Sequence, residues 1–208
     1  MKDNIRRLFV ETSRDLNIEA QNLFNDLREN LKIDGLESLR TIYRYDIDGL
    51  TDEEYGLARN SIFSQPSIHT LYDEKIELPE GARVFAIELL PGQYDSRADL
   101  AEKSLYILTG GRKCQVRAAR LVVLEGHITD QDLSKIKDYI INPVESREVS
   151  LKKPTTLELK MENPQAVENI DGFISLDKHG LERFLEEREL AMSMADLLLC
   201  QKYFRDVE

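Results

Sequence analysis

With 208 residues, 41% of them hydrophobic, the chain can fill one large packed domain or two small ones. Its 28 Lys and Arg stand against 39 Asp and Glu, a net charge of −11 that repels a phosphate backbone and argues against nucleic acid as a partner. No apolar run approaches the roughly 20 residues a membrane span needs, and Met1 to Asn4 leads straight into a strand rather than a signal-peptide core, so a cytoplasmic protein without membrane contact is expected.

Arg6 to Glu11 reads as a first strand, followed by the polar turn Thr12 to Asn17, with Asn17 placed to cap a helix. From Ile18, the residues Ala20, Leu23, Phe24, Leu27 and Leu31 recur at spacings of three and four. That spacing predicts an amphipathic helix lying on a sheet, which Gly35 stops. Leu36 to Ile47 is strand-like, and Thr51 to Glu54 forms a capping box for a second helix through Tyr55, Ala58, Ile62 and Phe63. Pro66 closes that helix, and Ile68 to Ile76 returns as a strand.

The order of elements then recurs. Arg83 to Leu90 is a strand, Ala98 to Leu108 a helix ended by Gly110-Gly111, and Val116 to Leu124 a strand. Thr129 with Asp132 caps a helix whose buried stripe is Leu133, Ile136 and Ile140, and Val144 to Leu151 closes as a strand. Phe9 matches Phe85, Thr51 matches Thr129 and Pro66 matches Pro143, at offsets of 76, 78 and 77, which argues for duplication. The expected fold is α+β: two βαββαβ-like halves, each at least β-α-β-α-β, forming a pseudo-dimer with helices on an antiparallel sheet. Residues 1–151 make this domain, with halves of about 1–78 and 79–151. Residues 152–208 are expected to be a linker bracketed by Pro154 and Pro164, then a small helical domain. There Asp177 caps a helix burying Leu181, Phe184 and Leu185, and Ser193 with Asp196 caps another burying Leu197, Leu198 and Phe204.

One stretch exceeds what folding alone requires. After the strand, Pro91-Gly92 breaks the extended run, and Gln93, Asp95, Arg97 and Asp99 crowd four polar side chains before the next helix. As structure, Asp95 or Asp99 caps that helix, Arg97 pairs with a carboxylate, and Gln93 satisfies backbone groups. As function, Gln93, Asp95 and Arg97 face a docking partner. The first half, with Thr12 to Asn17, has no equivalent of this motif.

Catalytic signals are sparse. Cys114 and Cys200 form no CxxC pair and neither sits in a nucleophile elbow, so both read as free, mostly buried thiols. Gly110-Gly111 leads into Arg-Lys-Cys rather than a phosphate-loop pattern. His69, His127 and His179 lack ligand spacing. No catalytic, cofactor-binding or metal-ligating residue is therefore assigned.

Five stretches carry a family likeness: Arg7 to Glu11, Tyr43 to Asp46, Leu90 to Asp99, Ile141-Asn142-Pro143-Val144-Glu145-Ser146-Arg147, and Met194 to Leu198. On these, nearly the whole chain resembles the N-terminal region of the large, single-chain form of phosphoribosylformylglycinamidine synthase, a glutamine-dependent ligase of purine biosynthesis. Ser96 and Leu100 depart from its pattern, where a Gln and a Ser are expected. The resemblance implies a duplicated small-subunit-like domain and a linker domain. The partners it implies are the synthetase and glutaminase domains of the same enzyme, which uses ATP and Mg²⁺; this region holds no cofactor and is inactive alone. Pro91, Gly92, Gln93, Asp95, Arg97, Asp99, Asn142 and Pro143 become its docking or structural motif. Two rivals differ in class: a free-standing ferredoxin-like module binding a small metabolite between its halves, and an enzyme using Gln93, Asp95, Arg97 and Asp99.

Overall fold

Leu8 and Val10 alternate with Arg7 and Phe9, and this period of two builds the first strand of a sheet covered on both faces. The computed structural model describes residues 5–158, 167 and 169–207; Met1 to Asn4 and Pro164 lie outside them. The chain forms two units, 1–160 and 161–208.

In the first unit the elements run β1 (Arg6–Thr12), α1 (Ile18–Glu29), β2 (Leu36–Asp48), α2 (Asp52–Ser61) and β3 (His69–Asp73). They continue as β4 (Arg83–Leu89), α3 (Ser96–Leu108), β5 (Gln115–Gly126), α4 (Asp130–Ile140) and β6 (Ser146–Val149). Each stretch is thus β-α-β-α-β, with one strand fewer than a βαββαβ unit. The strands make one continuous antiparallel six-stranded sheet in the order β3-β1-β2-β5-β4-β6. β3 and β6 are shorter than their apolar runs suggested.

Helix starts follow local chemistry. The Asn17 carboxamide oxygen accepts from Ala20 N–H at 3.0 Å. Thr51 with Glu54 and Thr129 with Asp132 form reciprocal capping boxes. Gly35 does not end α1, which stops at Glu29. It lies where β2 and β5 approach: a Cβ there would collide with His127 O, and one at Gly126 with Gly35 O.

All four helices cover one sheet face. Val116 and Ala118 of β5 pack with Tyr55 and Ala58 of α2 and Ala101 and Leu105 of α3. Val122 and Leu124, on the same side of β5, pack with Leu27 of α1 and Ile136 of α4. The other face carries Phe9, Ile42, Ala86, Leu121 and Val123.

That second face also holds a buried ion triad. Arg7 donates from Nε and Nη2 to the two Asp46 oxygens at 2.6 and 2.8 Å, and Arg44 Nε lies 3.4 Å from the same carboxylate. Their remaining donors reach a strap formed by residues 150–152. Arg7 donates to Leu151 O at 2.7 Å and Lys152 O at 3.3 Å, and Arg44 to Ser150 O at 2.9 Å.

The pairings repeat with a constant shift of 77. Phe9↔Arg44 and Phe9↔Tyr72 recur as Ala86↔Leu121 and Ala86↔Val149. Loop hydrogen bonds follow suit: Ser13 N to Ile68 O and His69 N to Gln65 O recur as Leu90 N to Glu145 O and Ser146 N to Asn142 O. At this shift Phe9 falls on Ala86 rather than on Phe85. Phe85 packs on the helix-covered face and Phe9 on the other, because one residue of slip reverses every side chain.

In the second unit, Phe173–Ser175 forms a 3-10 turn before α5 (Lys178–Glu187) and α6 (Met194–Val207). Asp177 and the Ser193–Asp196 box cap the two helices as expected. Leu181 and Leu197 are buried, and Gln201 donates to Phe173 O and Leu176 O. Leu198 and Phe204 are exposed instead of buried.

Candidate functional site

The stretches Leu90 to Asp99 and Ile141 to Arg147 meet on one edge of the sheet. Leu90 N–H donates to Glu145 O at 2.9 Å, and Gln93 Nε2 to Val144 O at 3.3 Å. Asn142 shapes its own turn, its side chain accepting from Val144 N–H and its carbonyl from Glu145 and Ser146. Pro143 is exposed in that turn. The loop before α3 is one residue longer than the loop before α1: the shift of 77 at Ser13 and Leu90 grows to 78 at the caps Asn17 and Asp95. Pro91 and Gly92 occupy the longer loop, and Gly92 takes the extra residue at a φ of 94°, a conformation other side chains resist.

The polar residues of the motif have separate duties. Asp95 caps α3, accepting at 3.0 Å from both Arg97 and Ala98 N–H. Asp99 does not cap: it accepts from Lys103 Nζ at 2.8 Å and Tyr94 O–H at 2.7 Å, and first Lys103, then Tyr94, hold its carboxyl below the ordinary value. Arg97 does not pair with a carboxylate but stacks on Tyr43, its guanidinium carbon 3.5 Å from the ring centroid.

Tyr43 opens onto the centre of the sheet, where it pairs directly with Arg120 across β2 and β5. The shift of 77 carries Tyr43 onto Arg120, so the local two-fold of the pairing passes through this pair. Glu19 reaches in from α1, two residues after its cap, as Arg97 does from α3. Its carboxylate accepts from Tyr43 O–H at 2.7 Å and Arg120 Nη1 at 2.6 Å. Burial raises the proton affinity of Glu19, but the Tyr43 hydroxyl and Arg120 outweigh it and hold the carboxyl below its ordinary value. Burial, then the bond to Glu19, pushes the Tyr43 phenol up to about 12.

Because Tyr43 binds its proton more tightly folded than unfolded, its contribution to stability is complete below pH 10 and is lost as pH rises through about 12. Ultraviolet titration is expected to show a tyrosine ionising near 12 that disappears in Tyr43→Phe. A variant spectrum identical to wild type would refute the assignment.

A cleft of about 340 Å³ runs beside this cluster, walled by Tyr43, Ser96, Arg97, Arg120, Asn142 and Glu145 among others. A larger cavity, about 710 Å³, lies elsewhere, at the N-terminal end of α1 between Glu11, Arg14, Asn17, Arg40 and Glu125. Its equivalent at α3 holds only about 130 Å³, with Leu90, Pro91, Gly92 and Gln93 in its wall. Among the described residues no group of His, Cys, Asp and Glu could hold a metal ion, and no helix is long and apolar enough to cross a membrane.

Sequence reasoning missed Glu19 and Arg120 altogether and found Tyr43 only as part of a family stretch. The signal for Tyr43 was the alternation Tyr43-Arg44-Tyr45-Asp46, which puts the tyrosines on one face of β2 and Arg44 with Asp46 on the other; nothing local marked Glu19 or Arg120. No protein-family model and no curated protein matches this chain.

Proposed function

We propose that this chain is a docking scaffold made by internal duplication, the small-subunit-like and linker region of a phosphoribosylformylglycinamidine synthase. The supporting observation is the repeated register: strand pairings and loop hydrogen bonds recur at one shift of 77 about a two-fold through Tyr43 and Arg120. Two equivalent halves that share one sheet are what a fused dimer of a smaller subunit would leave. The copies differ at the loop before α3, where one residue is gained and the Pro91-Gly92-Gln93 edge is built. An added docking surface belongs at such a point, because a loop accepts change that the paired strands do not.

On this reading the synthetase and glutaminase domains of the same enzyme grip the scaffold in the cytoplasm. They supply the ATP, Mg²⁺ and glutamine chemistry of a carbon–nitrogen ligase, and the scaffold itself turns nothing over. A rigid pseudo-symmetric body positions its neighbours by shape and paired charge rather than by catalytic groups.

The test is reconstitution. The purified chain alone is expected to hydrolyse neither ATP nor glutamine. Added to a separately produced synthetase–glutaminase polypeptide of this enzyme class, it is expected to restore glutamine-dependent amidine formation. Turnover by the chain alone that Arg97→Ala abolishes would reject the scaffold, and so would an addition that restores nothing.

A further inference from the structure

Arg97 is a cation that no carboxylate closes on among the described residues of an acidic molecule. Arg40, Arg83, Arg112, Arg120 and Arg147 each close on a carboxylate, whereas Arg97 makes no ion pair among the described residues, although the chain carries a net charge of −11. Its guanidinium carbon is 3.5 Å from the Tyr43 ring centroid, its hydrogen-bonding partners are the neutral phenols of Tyr43 and Tyr45, and it lines the cleft, so no carboxylate neutralises it there.

We propose that the cleft of about 340 Å³ beside Tyr43 binds the oxyanion of a small molecule, a carboxylate or a phosphate ester, clamped between Arg97 and Arg120. The volume falls in the range of small-ligand sites. A planar guanidinium offers parallel donors matched to two oxygens of either anion. Arg120 is held in place from behind, since Glu19 fixes it and Tyr43 fixes Glu19. The Ser96 hydroxyl and Asn142 amide line the same cleft as further hydrogen-bonding groups.

Most of the carboxylates in the wall are already committed. Asp95 is spent on two backbone N–H groups and Glu88 is paired with Arg147. Glu145 is exposed, where water and salt screen its repulsion. The inference does not depend on the docking reading: reconstitution could fail while the anion still binds, and the reverse.

The experiment titrates the ¹⁵N-labelled full chain with inorganic phosphate and, separately, with succinate, at constant ionic strength. The side-chain Nε–H resonances of Arg97 and Arg120 report binding. Saturable shifts of both in one titration are expected, and which titration saturates names the anion class. Arg97→Gln is expected to weaken that binding about tenfold or more, Arg97→Lys by less, and Arg112→Gln not at all. The backbone spectrum of each variant reports whether it has folded, and Arg97→Lys carries the test if Arg97→Gln does not. Shifts that grow linearly in both titrations, or full affinity in both Arg97 variants, would overturn the proposal.

Discussion

Replacing Asp46 with alanine is expected to cost about 3–5 kcal/mol of folding stability, out of the 5–15 kcal/mol typical of a domain. Asp46 is 2% exposed and is the shared partner of Arg7 at 3% and Arg44 at 4%. Without it, two guanidinium groups stay buried with no opposing charge, and burial already lowers the pKa of Arg44 despite the help of Asp46. Asp46→Asn keeps the shape and removes the charge, so it is expected to cost nearly as much. The urea midpoint measures both, and a loss under about 1 kcal/mol in both variants would mean that the arginines reach water. Exchanging all three residues for apolar ones of similar volume is expected to cost far less than Asp46→Ala alone. That triple variant still loses the donors to Ser150, Leu151 and Lys152, so amide exchange along 150–158 is expected to quicken even where stability survives. The charges, on this account, serve to hold the strap.

What the sequence disclosed was whatever three or four neighbouring residues decide. The Thr51–Glu54, Thr129–Asp132 and Ser193–Asp196 caps are legible because donor and acceptor lie three positions apart. The order of elements was legible because apolar periodicity changes with each one. Partners distant in sequence were not. Arg7 and Asp46 are 39 residues apart, and Arg97 finds an aromatic ring on another element where a local reading looks for a nearby carboxylate. Leu198 and Phe204 keep the helical spacing of a buried stripe yet remain exposed, since periodicity marks a face without saying what covers it.

Register is the hardest quantity to read, and Phe85 tests it most sharply. The sequence pairs Phe9 with Phe85 as equivalent landmarks; the sheet puts them on opposite faces, in clusters that share no residue. Phe85, 1% exposed among Leu27, Val122, Leu124 and Ile136, is expected to cost about 3–5 kcal/mol when cut to alanine. Two double-mutant cycles then separate the alternatives. Phe85→Ala with Ile136→Ala is expected to couple by about 0.5 kcal/mol or more, because each widens the same cavity. Phe85→Ala with Phe9→Ala is expected to add within about 0.5 kcal/mol. In the order β1-β2-β5-β4 the two strands stand three spacings apart, about 14 Å, with the sheet between the side chains. Strong coupling between the two phenylalanines, with none to Ile136, would refute the pairing register that recurs at 77, and the local two-fold through Tyr43 and Arg120 would be lost with it.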